Sequence, residues 1–236
     1  MSSAKVAIIV TSHTQMGGPD TDPTGVWLEE LTTPYYALRD AGLDVNVFTI
    51  AGGAVPVDPR SIGGDDEPDE SVKRYRDDAD LQALFKNTPS VEAVTVADYD
   101  VVFLPGGHGT MFDYPKSATL KSIVEQTLTT DKLLASVCHG PAGLTTAVDS
   151  SGTSMMAGRR VTGFTNSEED AVGLSDAVPF LLETRLKALG ADYVSGPDWE
   201  PFAVRDAGLI TGQNPQSAGK VADLILEALE ERKTKA

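Results

Sequence analysis

The chain has little of several things that define other protein classes. It has one cysteine, Cys138, in 236 residues, so no internal disulfide forms and no oxidising compartment is required. Aromatic residues make up only 6%. Basic residues are scarce beside acidic ones, 19 against 35, giving a formal charge of −16. A polyanion would be repelled by such a surface, which argues against nucleic acid as a partner. No apolar run reaches membrane-spanning length, so no membrane partner is expected. The N-terminal residues lack the charged stretch, apolar core and cleavage site of a secretory signal. A cytoplasmic protein is the expectation.

What is present is a set of short apolar runs separated by Gly, Pro and Asp. Val6–Val10 is continuous rather than alternating, the pattern of a strand buried on both faces of a parallel sheet. Val45–Ile50, Val101–Leu104 and Leu133–Val137 repeat it. Between them lie helical periods at Trp27, Leu28, Leu31, Tyr35 and Leu38, and again at Leu120, Ile123, Val124 and Leu128. Strands alternating with helices predict an α/β domain with a mainly parallel sheet and right-handed crossovers. One domain over 1–236 is the expectation, with an insertion at 51–98 that carries the acidic run from Gly63 to Glu70 and a helix near Asp78–Lys86. Beyond Cys138 the sequence predicts a helix, an extended piece at Val161–Phe164 and an amphipathic helix through Val178, Leu182, Leu186 and Leu189. A hairpin around Asp206–Gly208 follows, and then a closing helix from Asn214-Pro215 to about Arg232.

The segment Leu133-Leu-Ala-Ser-Val-Cys138-His139-Gly140-Pro-Ala-Gly143 runs a buried strand straight into small residues. This is the pattern of a nucleophile elbow, where a strained turn lifts one side chain above the carboxyl edge of the sheet. A helix beginning there is expected to lower the Cys138 pKa through its free N–H groups and dipole. His139 is the adjacent acid and base once a turn brings its ring round. Candidate acids to orient it lie in Asn166-Ser-Glu168-Glu169-Asp170. Gly106-Gly107-His108-Gly109 ends another buried strand and suits backbone N–H groups that approach an oxyanion; His108 as a direct catalyst is the weaker reading. Glu30 faces inward between Trp27, Leu28, Leu31 and Pro34, where burial would raise its pKa, with Glu29 as the solvent-facing control.

These residues resemble the ThiJ/PfpI superfamily, and within it the class of glutathione-independent glyoxalases and chaperone-like stress proteins. The matching motifs are Thr24-Gly-Val leading to Glu30, Gly106-Gly-His-Gly with Phe112-Asp-Tyr-Pro115, Val137-Cys-His-Gly-Pro141, Thr162-Gly-Phe-Thr165 and Thr211-Gly-Gln-Asn-Pro215. The resemblance implies a three-layer, flavodoxin-like sandwich of the class I glutamine amidotransferase type. It implies Cys138 as nucleophile, His139 as its partner, Glu30 as the carboxyl near the thiol and Glu169 as the acid orienting His139, with Glu168 as fallback. Gly107 and the elbow N–H groups would bind an oxyanion. The implied activity converts methylglyoxal to lactate through a cysteine hemithioacetal with no metal or organic cofactor, and the implied partner is a second copy of the chain. Alternatives are a cysteine amidase or peptidase, and a holdase or redox sensor using the same thiol. A glutaminase fits poorly, because no histidine follows His139.

Overall fold

The computed structural model of the protein describes residues 3–17, 22–63 and 69–235. Most of the expected acidic run, residues 64–68, lies outside them. The first half of the chain builds β1 (Lys5–Val10), α1 (Leu28–Asp40), β2 (Asp44–Thr49), α2 (Glu70–Asp77), α3 (Ala79–Lys86) and β3 (Val101–Leu104). Next come α4 (Thr110–Asp113), α5 (Ala118–Thr129), β4 (Leu133–Val137), β5 (Arg160–Val161) and α6 (Asn166–Ala171). The chain closes with α7 (Leu182–Ala188), β6 (Asp192–Tyr193), β7 (Ala203–Asp206), β8 (Leu209–Gly212) and α8 (Ala218–Lys235).

Six strands form one sheet in the order β2-β1-β3-β4-β8-β7, parallel except for the β7–β8 hairpin. The continuous apolar runs are buried because helices cover both faces: β3 and β4 are buried at every residue. On one face α1 and α8 pack together, and α5 lies against β4. The result is the mainly parallel α/β domain the alternation predicts, in the three-layer arrangement the resemblance implies. Among the described residues no helix is long and apolar enough to cross a membrane.

Three expectations change. The segment after Cys138 is a five-residue 3-10 turn, Gly140–Leu144, not an α-helix. The extended piece near Val161 contributes only the two residues of β5, paired with β6 in a separate small sheet. The amphipathic helix from Val178 shortens to α7, since a single turn from Leu174 ends at Val178 and residues 179–181 join it to Leu182 without continuing the helix. The closing helix opens with a 3-10 turn, Pro215–Ser217, on an Asn214 cap and extends to Lys235.

Candidate active site

β3 and β4 are neighbours in the sheet, so the loops that leave their carboxyl ends, Gly106–Gly109 and Cys138–His139, stand side by side. Cys138 has φ 58, a left-handed backbone for a residue with a side chain. That strain is the signature of the predicted elbow. The turn is held by Cys138 N–H donating to the Gly212 carbonyl (3.0 Å) and by Phe164 N–H donating to the Cys138 carbonyl (2.9 Å). The two loops come this close only because of glycine. A Cβ on Gly106 would lie 2.6 Å from Glu30 Oε2 and 2.7 Å from His139 N, and one on Gly107 2.4 Å from both Gly25 O and Trp27 N.

The elbow brings the imidazole round as required: Cys138 Sγ lies 3.3 Å from His139 Nδ1. His139 Nε2 lies 2.7 Å from Glu169 Oε2. Glu169 is therefore the acid that meets His139, and Glu168 is not. Glu168 turns the other way and accepts from Thr165 N–H and Oγ1 at its own helix cap, and from Trp199 N–H, Gln213 Nε2 and Asn214 Nδ2. On the opposite side of the thiol, Glu30 is wholly buried and its Oε2 accepts from Gly106 N–H at 2.8 Å. Its Oε1 has no hydrogen bond of ordinary geometry among the described residues.

The electrostatics correct the expectation of an acidified thiol. Burial first, and the Glu30 carboxyl second, push Cys138 well above its usual value. One 3-10 turn supplies no helix macrodipole to offset this. Burial pushes Glu30 up as well, against hydrogen bonds with the Cys138 thiol and the Gly106 N–H. The two groups cannot both be ionised, so a thiolate here requires its proton on a neighbour. Glu169 behaves oppositely. Burial alone would raise it, but His139 and His108 hold it below the usual carboxylate range.

His108 belongs to the site more closely than the sequence suggested. Its ring lies 4.2 Å from that of His139, and its Nε2 is 2.8 Å from Glu169 Oε1, so one carboxylate joins both imidazoles. Burial, then repulsion from His139, lowers His108 to about 4 despite Glu169, leaving it neutral. The signal was available, since its loop follows the strand beside that of Cys138. Arg60, which reaches the same cavity, lies within segment 51–98 and carries no such signal. Glu29 was expected to face solvent. It is instead half-buried at the cavity wall, where burial and then Asp69 raise it to about 7. The cavity has a volume of about 360 Å³, with Trp27, Phe164, Val172 and Trp199 supplying its apolar surface above the thiol.

His108, His139 and Glu169 place three potential metal ligands within 4.8 Å of one another. Both Nε2 atoms are already engaged by Glu169, and the Arg60 guanidinium is 3.3 Å from His108 Nδ1. A cation would have to displace two hydrogen bonds beside a fixed positive charge, so the set fits a hydrogen-bond chain better than a metal centre. Two N–H groups, those of Gly107 and His139, make no hydrogen bond among the described residues. Both residues line the cavity together with Cys138, whose own N–H is already committed to Gly212.

Comparison with known proteins places this geometry among relatives. Residues 24–228 match the DJ-1/PfpI family. The chain is similar to the glutathione-independent glyoxalase HSP31 of Saccharomyces cerevisiae, with 31% identity covering 97% of this chain and 99% of that protein. Among solved structures it resembles the 24 kDa rapid encystment protein of Francisella tularensis, with TM-score 0.90 and 38% identity over 96% of this chain and 99% of that one. It also resembles glyoxalase III of Candida albicans, with TM-score 0.85 and 29% identity over 95% and 97%.

Proposed function

The chain belongs to the DJ-1/PfpI family, and from that premise we propose that it is a glutathione-independent glyoxalase that turns methylglyoxal into lactate with Cys138 as nucleophile. The observation that carries this reading is a buried thiol flanked by Glu30 on one side and by His139, backed by Glu169, on the other. Isomerising an α-oxoaldehyde needs a nucleophile for the aldehyde carbon and a separate group to move a proton between adjacent carbons. An acyl-transfer site needs no carboxyl at the position of Glu30.

Sγ adds to the aldehyde carbon and its proton passes by way of His139 to the new oxygen, giving a hemithioacetal. The Gly107 and His139 N–H groups stabilise the oxyanion as it forms. Glu30 Oε1 then removes the hydrogen from that carbon, and the enediol takes a proton back at the adjacent carbon. A lactoyl thioester on Cys138 results. One carbon is oxidised as its neighbour is reduced, so the electrons balance within the substrate. Water activated by His139 cleaves the thioester and restores the thiol. Burial raises the Glu30 carboxyl above its usual range, which makes its carboxylate a stronger proton acceptor for this shuttle.

The reading extends to the expected cytoplasmic setting and to a twofold dimer; light scattering that shows a monomer across micromolar concentrations would remove the dimer. The activity is tested by incubating the purified chain with methylglyoxal and identifying products by NMR. Lactate is the expected product. Hydrolysis of amide or ester substrates with the dicarbonyl left intact would move the chemistry to acyl transfer.

A further inference from the structure

Arg60 is held firmly from within segment 51–98. Asp58, fully buried, accepts from Arg60 Nε through Oδ1 at 2.9 Å and from Nη2 through Oδ2 at 2.6 Å, a two-point fork. The Arg60 N–H also donates to Asp58 Oδ1 (3.0 Å), and Thr24 Oγ1 donates to Oδ2 (2.9 Å). So anchored, the Arg60 guanidinium points Nη2 at His108 Nδ1 across 3.3 Å.

A guanidinium can only donate, so His108 Nδ1 must accept, and the neutral ring then carries its single proton on Nε2. That N–H points at Glu169 Oε1, 2.8 Å away, and donates to it. The other oxygen of Glu169 meets His139. We propose that Arg60 is a positioning residue that fixes the tautomer of His108, so that His108 pins the Glu169 carboxylate in the place where it orients His139 beside Cys138. The charged and titratable groups facing His108 are Glu169, His139 and Arg60, with Phe164 against the ring. Burial and His139 resist protonation of His108, Arg60 adds to that resistance, and Glu169 opposes it. Without the guanidinium the ring is free to turn its acceptor toward Glu169, or to take a second proton and compete with His139 for one carboxylate.

The rate consequence rests on the glyoxalase reading; the tautomer does not, so the two fail separately. The chain has only three histidines, which makes ring-nitrogen NMR of ¹⁵N-histidine-labelled protein tractable. The spectrum is recorded from about pH 5 to about pH 8, with His108 assigned by its loss in His108→Asn. The expected result is a neutral His108 ring protonated at Nε2 throughout. In Arg60→Met the ring should titrate within that range or show both tautomers. Methylglyoxal kcat should fall roughly tenfold, the loss expected of one charge-assisted hydrogen bond, with the acid limb of the pH profile moved to higher pH. Arg60→Lys, which keeps a donor but not the fork, should fall between. A native His108 protonated on Nδ1 would overturn the proposal even if Arg60→Met failed to fold, and so would a ring unchanged by Arg60→Met.

Discussion

The strained Cys138 and the fully buried Glu30 act as a pair, because burial raises both and neither ionises independently. Glu30→Gln keeps the shape and removes the proton acceptor. Turnover of methylglyoxal should fall roughly 10²–10⁴-fold, the range of general acid–base groups, while Cys138 still reacts with iodoacetamide. Equal loss of labelling and turnover would show that Glu30 acts only by holding the thiol in place. Glu29 tests the pocket wall. Its carboxyl is raised from 4.5 to about 7, by burial first and Asp69 second. A folded state that holds this proton more tightly than the unfolded chain is favoured at low pH, and the contribution is lost as pH rises through about 7. Relative to Glu29→Gln, the wild type should therefore lose stability to urea between about pH 5 and about pH 8. Parallel stability curves for the two proteins would contradict the placement of Glu29. An exposed position such as Glu227 supplies the neutral control.

At the scale of elements, the site is assembled by the carboxyl ends of β3, β4 and β8 and by α6. Glu168 ties α6 to the Trp199 loop and to the end of β8, since its carboxylate takes donors from its own helix cap, from Trp199 N–H and from the Gln213-Asn214 turn after β8. Glu168→Gln replaces an acceptor with a donor among donors. It should cost about 2–4 kcal/mol in urea unfolding and alter the fluorescence of Trp199, one of two tryptophans. Unchanged stability would mean that the Trp199 loop is held some other way. The central strands and the helices between them were legible because continuous apolar runs and a 3.6-residue period follow directly from burial on both faces and on one. The pieces around β5, β6 and α7 were not. Their pairing is short, two residues in each strand, and their helical apolar pattern begins before the helix does.

Across the whole molecule, the neighbouring loops at one sheet edge explain why Cys138, His139, Glu30 and Glu169 come together although they span much of the chain. The elbow pattern singled out Cys138 and His139, the inward helix face Glu30, and resemblance Glu169; the topology supplies the reason they meet: β3 and β4 pair directly, and α1 carries Glu30 beneath the Gly106 loop. The arm that Asp58 and Arg60 extend to His108 was illegible because it depends on where segment 51–98 folds back, which no local period encodes. The acid state of the thiol was misread for a similar reason, since it is set by burial and by a carboxyl 108 residues earlier in the sequence. The most direct test of the account is a time course of lactate formation from methylglyoxal in thiol-free buffer, comparing the wild type with Cys138→Ala, both prepared from a host lacking other glyoxalases. The account predicts sustained multiple turnover by the wild type and none by the variant; no lactate from the wild type, or equal rates from both, would contradict it.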